Sequence, residues 1–259
     1  MVVYVIYDYD KDLEIGSDDD SLLLMKFLAI LAKLSPYAKI EIKSKNKILI
    51  YSIDKLELSA ALLTLNINLN NEYYLEKVFK VSTIPMIAKY VIPKRISITE
   101  TGLSILSLHK QTGIETIINL SWLEIEYPSL NIPSLDDLIK DFIIIDIDRN
   151  NLSKILNMFM LSDIDEIKLT LTKDAIYLAA SGPGIAILQH LNEDIISSKV
   201  SKHISLKIPS IYIRIINHVI RLLNDVRVYM KEKSSLIVGG NVALNIPTSF
   251  FLIIPSRNE

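Results

Sequence analysis

Lys207, Arg214, His218 and Arg221 stand at i, i+7, i+11 and i+14, the spacing of one face of an α-helix. Lys26 and Lys33 are likewise seven residues apart. All belong to four apolar, helix-like stretches: Ser21–Leu34, Lys80–Arg95, Arg149–Leu161 and Lys207–Leu223. These hold eleven Lys or Arg and not one Asp or Glu. The whole chain has 28 basic and 30 acidic residues, so the remainder sets 17 basic against 30 acidic residues, a net of −13. Positive charge segregated in this way suits a polyanion whose phosphates are contacted without base reading. The same spacing also fits a solvated helix face opposite a core face. Four stretches without a carboxylate favour the polyanion. The candidate phosphate contacts are Lys26, Lys33, Lys80, Lys89, Arg149, Lys154, Lys207, Arg214 and Arg221, of which Arg149 and Lys154 fall less clearly on one face.

Other reactive side chains form no site. Asp8, Asp10 and Asp12 have the spacing of a calcium loop, but such a loop needs Gly at its sixth position and Glu at its twelfth. Leu13 and Asp19 stand there, so an acidic surface loop is expected and no metal. Gly182 and Gly184 flank Pro183 with no Walker lysine and no GxGxxG pattern, which reads as a tight turn. His109, His190, His203 and His218 lie in separate elements without an HExxH or triad-like neighbour. The chain has no cysteine, which removes disulfides, zinc-thiolate sites and thiol nucleophiles and fits an intracellular protein. No catalytic residue and no cofactor is therefore expected. Met1–Asp10 lacks the basic start of a secretory signal, and Lys26 and Lys33 interrupt the best membrane-span candidate.

The elements that must position the cations alternate in the same order twice. Ser21 is a plausible cap behind Asp18–Asp20 for a helix that stops before Pro36. Strands Ala38–Ser44, Lys47–Ile53 and Leu56–Leu65 follow, then a loop at Asn66–Asn71 and another strand. Val81–Val91 reads as a second helix with Pro85 in its first turn and an end near Pro93. Strands Arg95–Thr99, Leu103–His109 and Ile114–Leu120 complete the half. In the second half, strand Phe142–Asp146 precedes a helix capped by Asp148 and running through Met160. Strands Glu166–Thr172, Ala175–Ala180, Ile185–Leu191 and His203–Lys207 lead to a helix over Pro209–Leu223. Val226–Lys231, Ser235–Val238, Val242–Ile246 and Phe250–Ile254 close the chain as strands. Ser121–Ile139, with Pro128 and Pro133, has neither period and reads as a linker. The pattern is a duplicated α+β fold, with domains at 1–120 and 140–259 joined by 121–139.

Several segments, in order and spacing from about Ser21 to Pro255, resemble the PCNA-type DNA sliding clamps of archaea and eukaryotes. Asp148–Leu156 (DRNNLSKIL) resembles that family's third inner helix, and Phe79–Val91 (FKVSTIPMIAKYV) its second. Ala179–Leu188 (AASGPGIAIL) is similar to its strand–Gly turn–strand segment, and Ser52–Leu65 (SIDKLELSAALLTL) to a strand pair of its first domain. Pro128–Pro133 (PSLNIP) falls where its interdomain loop enters domain two, and Phe250–Ser256 (FFLIIPS) resembles its terminus. The chain departs from the family in its acidic first twenty residues, in the apolarity of Ser21–Leu34, and in Ile254-Pro255-Ser256 where the family has Ala-Pro-Lys.

The resemblance implies two similar domains, each with two helices packed on antiparallel sheets, assembled into a trimeric ring, homomeric or heteromeric. It implies a processivity factor without enzymatic activity that encircles double-stranded DNA. Polymerase, ligase, flap endonuclease and clamp loader would dock through short peptide motifs. It implies a peptide groove with Ile53, Leu58 and Ala60 as floor, Ile125, Tyr127, Leu130 and Ile132 from the connecting segment, and Pro255 as far wall. The apolar connecting segment could equally pack onto its own domain. Strands carrying Ile114, Ile117 and Leu120, and Ile185, Ile187 and Leu191, would pair between subunits unless one edge is covered by its own chain. The alternatives are a checkpoint-type ring subunit and a monomeric DNA-binding processivity factor; an enzyme acting on nucleic acid is the remaining class. Location follows source: cytoplasmic and nucleoid-associated in an archaeon, nuclear in a eukaryote.

Overall fold

The computed structural model describes residues 13–15, 18–44, 46–54, 59–67, 74–130, 139, 141–160, 164–172, 175–182, 185–191, 204–232 and 234–256. The chain divides into two compact units. One comprises Met1–Asp54, Ala61–Pro128 and Ala243–Ser249; the other comprises Lys55–Ala60, Ser129–Val242 and Phe250–Glu259.

The first ten elements are β1 (Leu13–Ile15), α1 (Asp18–Leu34), β2 (Tyr37–Ser44), β3 (Lys47–Ile53), β4 (Ala60–Asn66), β5 (Leu75–Lys80), α2 (Ile84–Tyr90), β6 (Val91–Ile98), β7 (Gly102–His109) and β8 (Glu115–Leu123). Their strands follow the order β1-β6-β7-β8-β5-β2-β3-β4. Helix α1 packs on β2, β3 and β6. Its Leu24, Phe27, Leu28 and Leu31 are sealed from water, as are Ile40, Ile42, Ile48 and Ile50 of the strands beneath. Each such side chain contributes about 1.5–3 kcal/mol.

Helix α1 begins at Asp18, three residues ahead of the cap expected at Ser21. The three aspartates suit the positive helix N-terminus. Asp20, 4 % exposed, also accepts hydrogen bonds from the Asn245 backbone N–H (3.0 Å) and side-chain amide (3.2 Å). Ser21 is thereby drawn inside the helix, its hydroxyl buried without a partner among the described residues. Helix α2 is shorter than its pattern predicts. It ends at Tyr90, and Pro93 lies inside β6 where the register to β7 shifts between Pro93 and Arg95. A bulge tolerates the missing proline N–H that a regular ladder would not.

The next ten elements repeat that order: β9 (Ile143–Asp146), α3 (Arg149–Met160), β10 (Glu166–Leu171), β11 (Ile176–Gly182), β12 (Ile185–Leu191), β13 (Ile204–Pro209), α4 (Ser210–Ile220), β14 (Arg227–Met230), β15 (Ser235–Val242) and β16 (Thr248–Pro255). They form a row β16-β15-β14-β9 and a four-stranded sheet β12-β11-β10-β13. In both halves a strand and helix precede four strands, a second helix and three strands. This is the duplicated α+β architecture that the sequence predicts. Asp148 caps α3 as expected, its Oδ1 accepting from the Asn151 N–H at 2.8 Å.

The two short strands predicted around Gly239-Gly240-Asn241 are instead one strand, β15. The glycines are there for space. A Cβ on Gly240 would sit 2.0 Å from the Asp225 carbonyl oxygen, and one on Gly239 2.4 Å from the Phe251 ring.

Candidate nucleic-acid interface

Each helix leaves one stripe in solvent, and that stripe carries the cations. On α1 the stripe is Leu22, Lys26, Ala29 and Lys33, with the two lysines exposed. Partial desolvation lowers the pKa of the Lys33 ammonium. On α2 it is Met86, Lys89 and Tyr90. On α3 it includes Lys154 and Met158, and on α4 it is Ile211, Arg214 and His218, continued by Arg221 just past the helix end. The apolar faces opposite these stripes fill the cores, so the orientation of each cation follows from burial of its helix.

Four of the eleven cations lie on strands instead: Lys80 ends β5, Lys94 and Arg95 are in β6, and Lys207 is in β13. The helical spacing that linked Lys207 to Arg214 therefore does not hold. The α4 face runs Ile211, Arg214, His218, Arg221 at i, i+3, i+7 and i+10. Three of the strand cations have carboxylate partners. Lys94 pairs with Asp18 at 2.9 Å, Arg95 with Glu14 at 3.3 Å, and Lys207 with Glu166 at 3.8 Å. Lys26, Lys33, Lys80, Lys89, Arg149, Lys154, Arg214 and Arg221 have no carboxylate partner among the described residues. Pairs at i,i+4 stabilise a solvated helix face, and among the described residues these stripes carry none.

Within the second unit, α3 and α4 are joined by a neutral polar network. The Ser153 hydroxyl donates to Asn217 Oδ1 at 2.9 Å, and Asn217 Nδ2 donates to Asn157 Oδ1 at 2.8 Å. Arg221 donates through Nε to Ser153 Oγ (3.3 Å) and through Nη2 to Asn157 Oδ1 (3.1 Å). Arg149 donates through Nη1 to the Leu223 carbonyl at 3.0 Å. Arg149, Asn150, Ser153, Lys154 and Arg221 line an open cleft of about 480 Å³. His218 Nδ1 lies 2.6 Å from the Arg214 carbonyl oxygen. A carbonyl only accepts, so Nδ1 carries the proton. Sequence reasoning did not single out Lys110, whose Nζ caps the Ala88 carbonyl beside Lys89 at 2.7 Å. Only the fold brings that turn to α2.

The remaining expected sites are placed as follows. Ile53, Ile125 and Tyr127 belong to the first unit, and Ala60, Leu130 and Pro255 to the second. Leu58 and Ile132 lie outside the described residues. Tyr127 is engaged in its own unit: its hydroxyl donates to the Tyr37 carbonyl (3.0 Å) and accepts from the Ile53 N–H (2.9 Å), and its ring packs on Tyr51. Ile125 remains 43 % exposed, whereas Ala60 is buried. Ile114 and Ile117 are 64 % and 65 % exposed, while Leu120 points into its own unit. Strand β12 ends its sheet, and its outward face shows Leu188 at 68 % exposure. Ile187 has the opposite parity and is half-buried; the backbone path of β12 fixes which side chains face outward, and the apolar run alone does not. Asp8, Asp10 and Asp12, and Pro183 with Gly184, lie outside the described residues.

Among the described residues, no group of His, Cys, Asp or Glu is arranged to hold a metal ion. No described helix is long and apolar enough to cross a membrane. No protein-family model matches the chain, and no curated protein matches it in sequence. Among solved structures it is similar to the crystal structure of the Proliferating Cellular Nuclear Antigen from Entamoeba histolytica. The TM-score is 0.74 over 95 % of this chain and 98 % of that one, at 13 % identity. At that identity the likeness establishes architecture: the chain has the α+β fold of the DNA sliding clamps.

Proposed function

We propose that the chain is a subunit of a DNA sliding clamp, a processivity factor that encircles duplex DNA and recruits replication and repair enzymes. The observation that carries this reading is the set of cations on the exposed helix stripes, without carboxylate partners among the described residues, in a chain whose net charge is −2. Such faces hold phosphates through charge and shape, without reading sequence. A ring retains DNA topologically, so these contacts can stay weak and mobile while the ring cannot fall off. The clamp itself performs no chemistry, and DNA incubated with it should show no divalent-metal-dependent turnover.

The same reading assigns partners. The edges of β8 and β12 would pair between subunits, homomeric or heteromeric, with Ile117 and Leu188 at the joint. Ile125 and its neighbours would receive short peptide motifs of a polymerase, ligase, flap endonuclease or loader, whose apolar anchors would supply most of the affinity.

The test is the size of the purified chain, alone and with related chains of its source, together with retention on circular against linear duplex DNA. A ring predicts trimers and longer retention on circles. A stable monomer in every mixture, with equal retention on both forms, would overturn the ring and leave a monomeric processivity factor.

A further inference from the structure

Past Leu123, where β8 is paired with β5, the chain leaves the sheet as a segment whose Glu124, Ile125 and Glu126 are exposed. The next residue turns inward. Strands β2 and β3 pair in an antiparallel register that sets Lys39 against Tyr51, and two residues further along it Tyr37 would stand against Ile53. There the ladder is open. The Tyr127 hydroxyl lies between the two backbones, accepting from the Ile53 N–H at 2.9 Å and donating to the Tyr37 carbonyl at 3.0 Å. A phenolic hydroxyl both donates and accepts, so one group satisfies both sides of the opened ladder.

The Tyr127 ring rests against Tyr51, with centroids 6.4 Å apart and planes inclined at 46°. Tyr51 is fully buried, and its own hydroxyl is tied to Glu41 at 2.7 Å. Glu41 is in turn paired with Lys39 and Lys43. The Ser52 hydroxyl donates to the same Tyr37 carbonyl at 2.9 Å, so both lone pairs of that oxygen are engaged. The buried ion network of β2 thus fixes the wall of a recess whose polar end is backbone. Phenylalanine would fill the recess but leave the Ile53 N–H without its acceptor, which is costly away from water.

We propose that Tyr127 is a releasable latch: its side chain occupies a phenol-specific seat at the open end of β2 and β3, and residues 124–128 are held or freed as it enters or leaves. The neighbouring pair of Lys77 and Glu124 spans 3.5 Å between exposed side chains and adds little to the hold. That the segment so held is the one partner peptides approach rests on the sliding-clamp reading; the latch and its seat do not.

The test has two arms on the full chain. In the first, a glutamyl endopeptidase is used to cut after Glu124 and Glu126. Y127F should be cut there about tenfold faster than the parent, because cleavage follows the population of the opened form. Amide exchange at Ile53 should quicken alike and be insensitive to low urea, the mark of a local opening, whereas Ile40 in the paired part of β2 follows global unfolding. Equal cutting of parent and Y127F, or an Ile53 amide that exchanges only with global unfolding, would overturn the latch. In the second arm, p-cresol and toluene are titrated into Y127A and the parent while amide NMR signals are followed. The expected result is a saturable shift at Ile53 with p-cresol in Y127A, absent with toluene and absent in the parent, whose seat is filled by its own side chain. Equal shifts with both compounds, or none with either, would overturn the seat. Y127F, which removes a single oxygen, decides the matter if Y127A does not fold. The expected results in a chain that forms no ring would sink the clamp reading and sustain the latch.

Discussion

Lys39 and Glu41 alternate with isoleucines in β2, and by pattern they belong to a solvated face. Yet they are only 4 % and 2 % exposed. Lys39 pairs with Glu41 at 3.1 Å and also with Glu76, while Glu41 receives Lys43 at 2.7 Å and the Tyr51 hydroxyl at 2.7 Å. Burial pushes the Glu41 carboxyl up, but the hydrogen bonds from Lys43, Tyr51 and Lys39 outweigh it and hold it below the usual range. The hydrogen bond from Lys39 lowers Glu76 in the same way. A depressed carboxyl stabilises the fold above its unfolded value near 4.5, and that contribution is lost as pH falls through the folded value. K39M should therefore cost about 3 kcal/mol at pH 7 by leaving Glu41 short of a partner. The gap from the parent should narrow as pH falls below about 4.5. Denaturant melts at pH 7 and pH 3 would measure it; a gap that widens in acid would refute the account. The sequence could not show this network, because its members come from three strands.

At the scale of elements, what positions the cations is the burial of the opposite helix face. Helix α4 shows this: Tyr212, Ile213, Ile215, Ile216, Val219 and Ile220 are buried, so Arg214 and His218 are left in solvent. The second unit is packed around a wholly apolar cavity of about 30 Å³, lined by Leu156, Ile213, Val238 and their neighbours. A cavity without polar groups stays dry. V238I should fill part of it and raise stability by about 0.5–1 kcal/mol, read as a higher melting temperature. Strand β15 has the opposite constraint, since Gly240 has no room for a side chain. G240A should lower stability by about 2 kcal/mol, and a neutral melt would show that the strand can shift away from Asp225. The helices were legible from apolar spacing. The extent of α2 was not, because a proline stop and a proline in a bulge look alike until the pairing of β6 with β7 is known.

At the scale of the molecule, two of the strand edges among the described residues bear on assembly. Strand β8 pairs with β5 only at Trp122 and Leu123, so the segment around Ile117 has no ladder on that side among the described residues. Strand β12 is the last of its sheet. Exposed apolar edges of this kind associate unless blocked, and a buried charge is an effective block. If the subunits pair as proposed, I117K and L188K should each reduce the ring to monomers in light scattering, while the melting temperature of the monomer changes little. Unaltered oligomers in both variants would mean that the joint lies elsewhere. The family resemblance implies both strands as subunit edges but names Ile185, Ile187 and Leu191 on β12 and not Leu188, since the parity of a strand is set by its register with β11.

The sequence by itself determined the duplicated order of elements, the apolar helix faces and the segregation of positive charge, because each is a property of spacing along the chain. Only the tertiary structure decided which cations remain unneutralised. Lys94, Arg95 and Lys207 are matched by Asp18, Glu14 and Glu166 from other segments. Arg221 is instead gripped by Ser153 and Asn157, more than sixty residues away in the chain. Whether a charge keeps its field depends on its neighbours in space, and local spacing does not encode them.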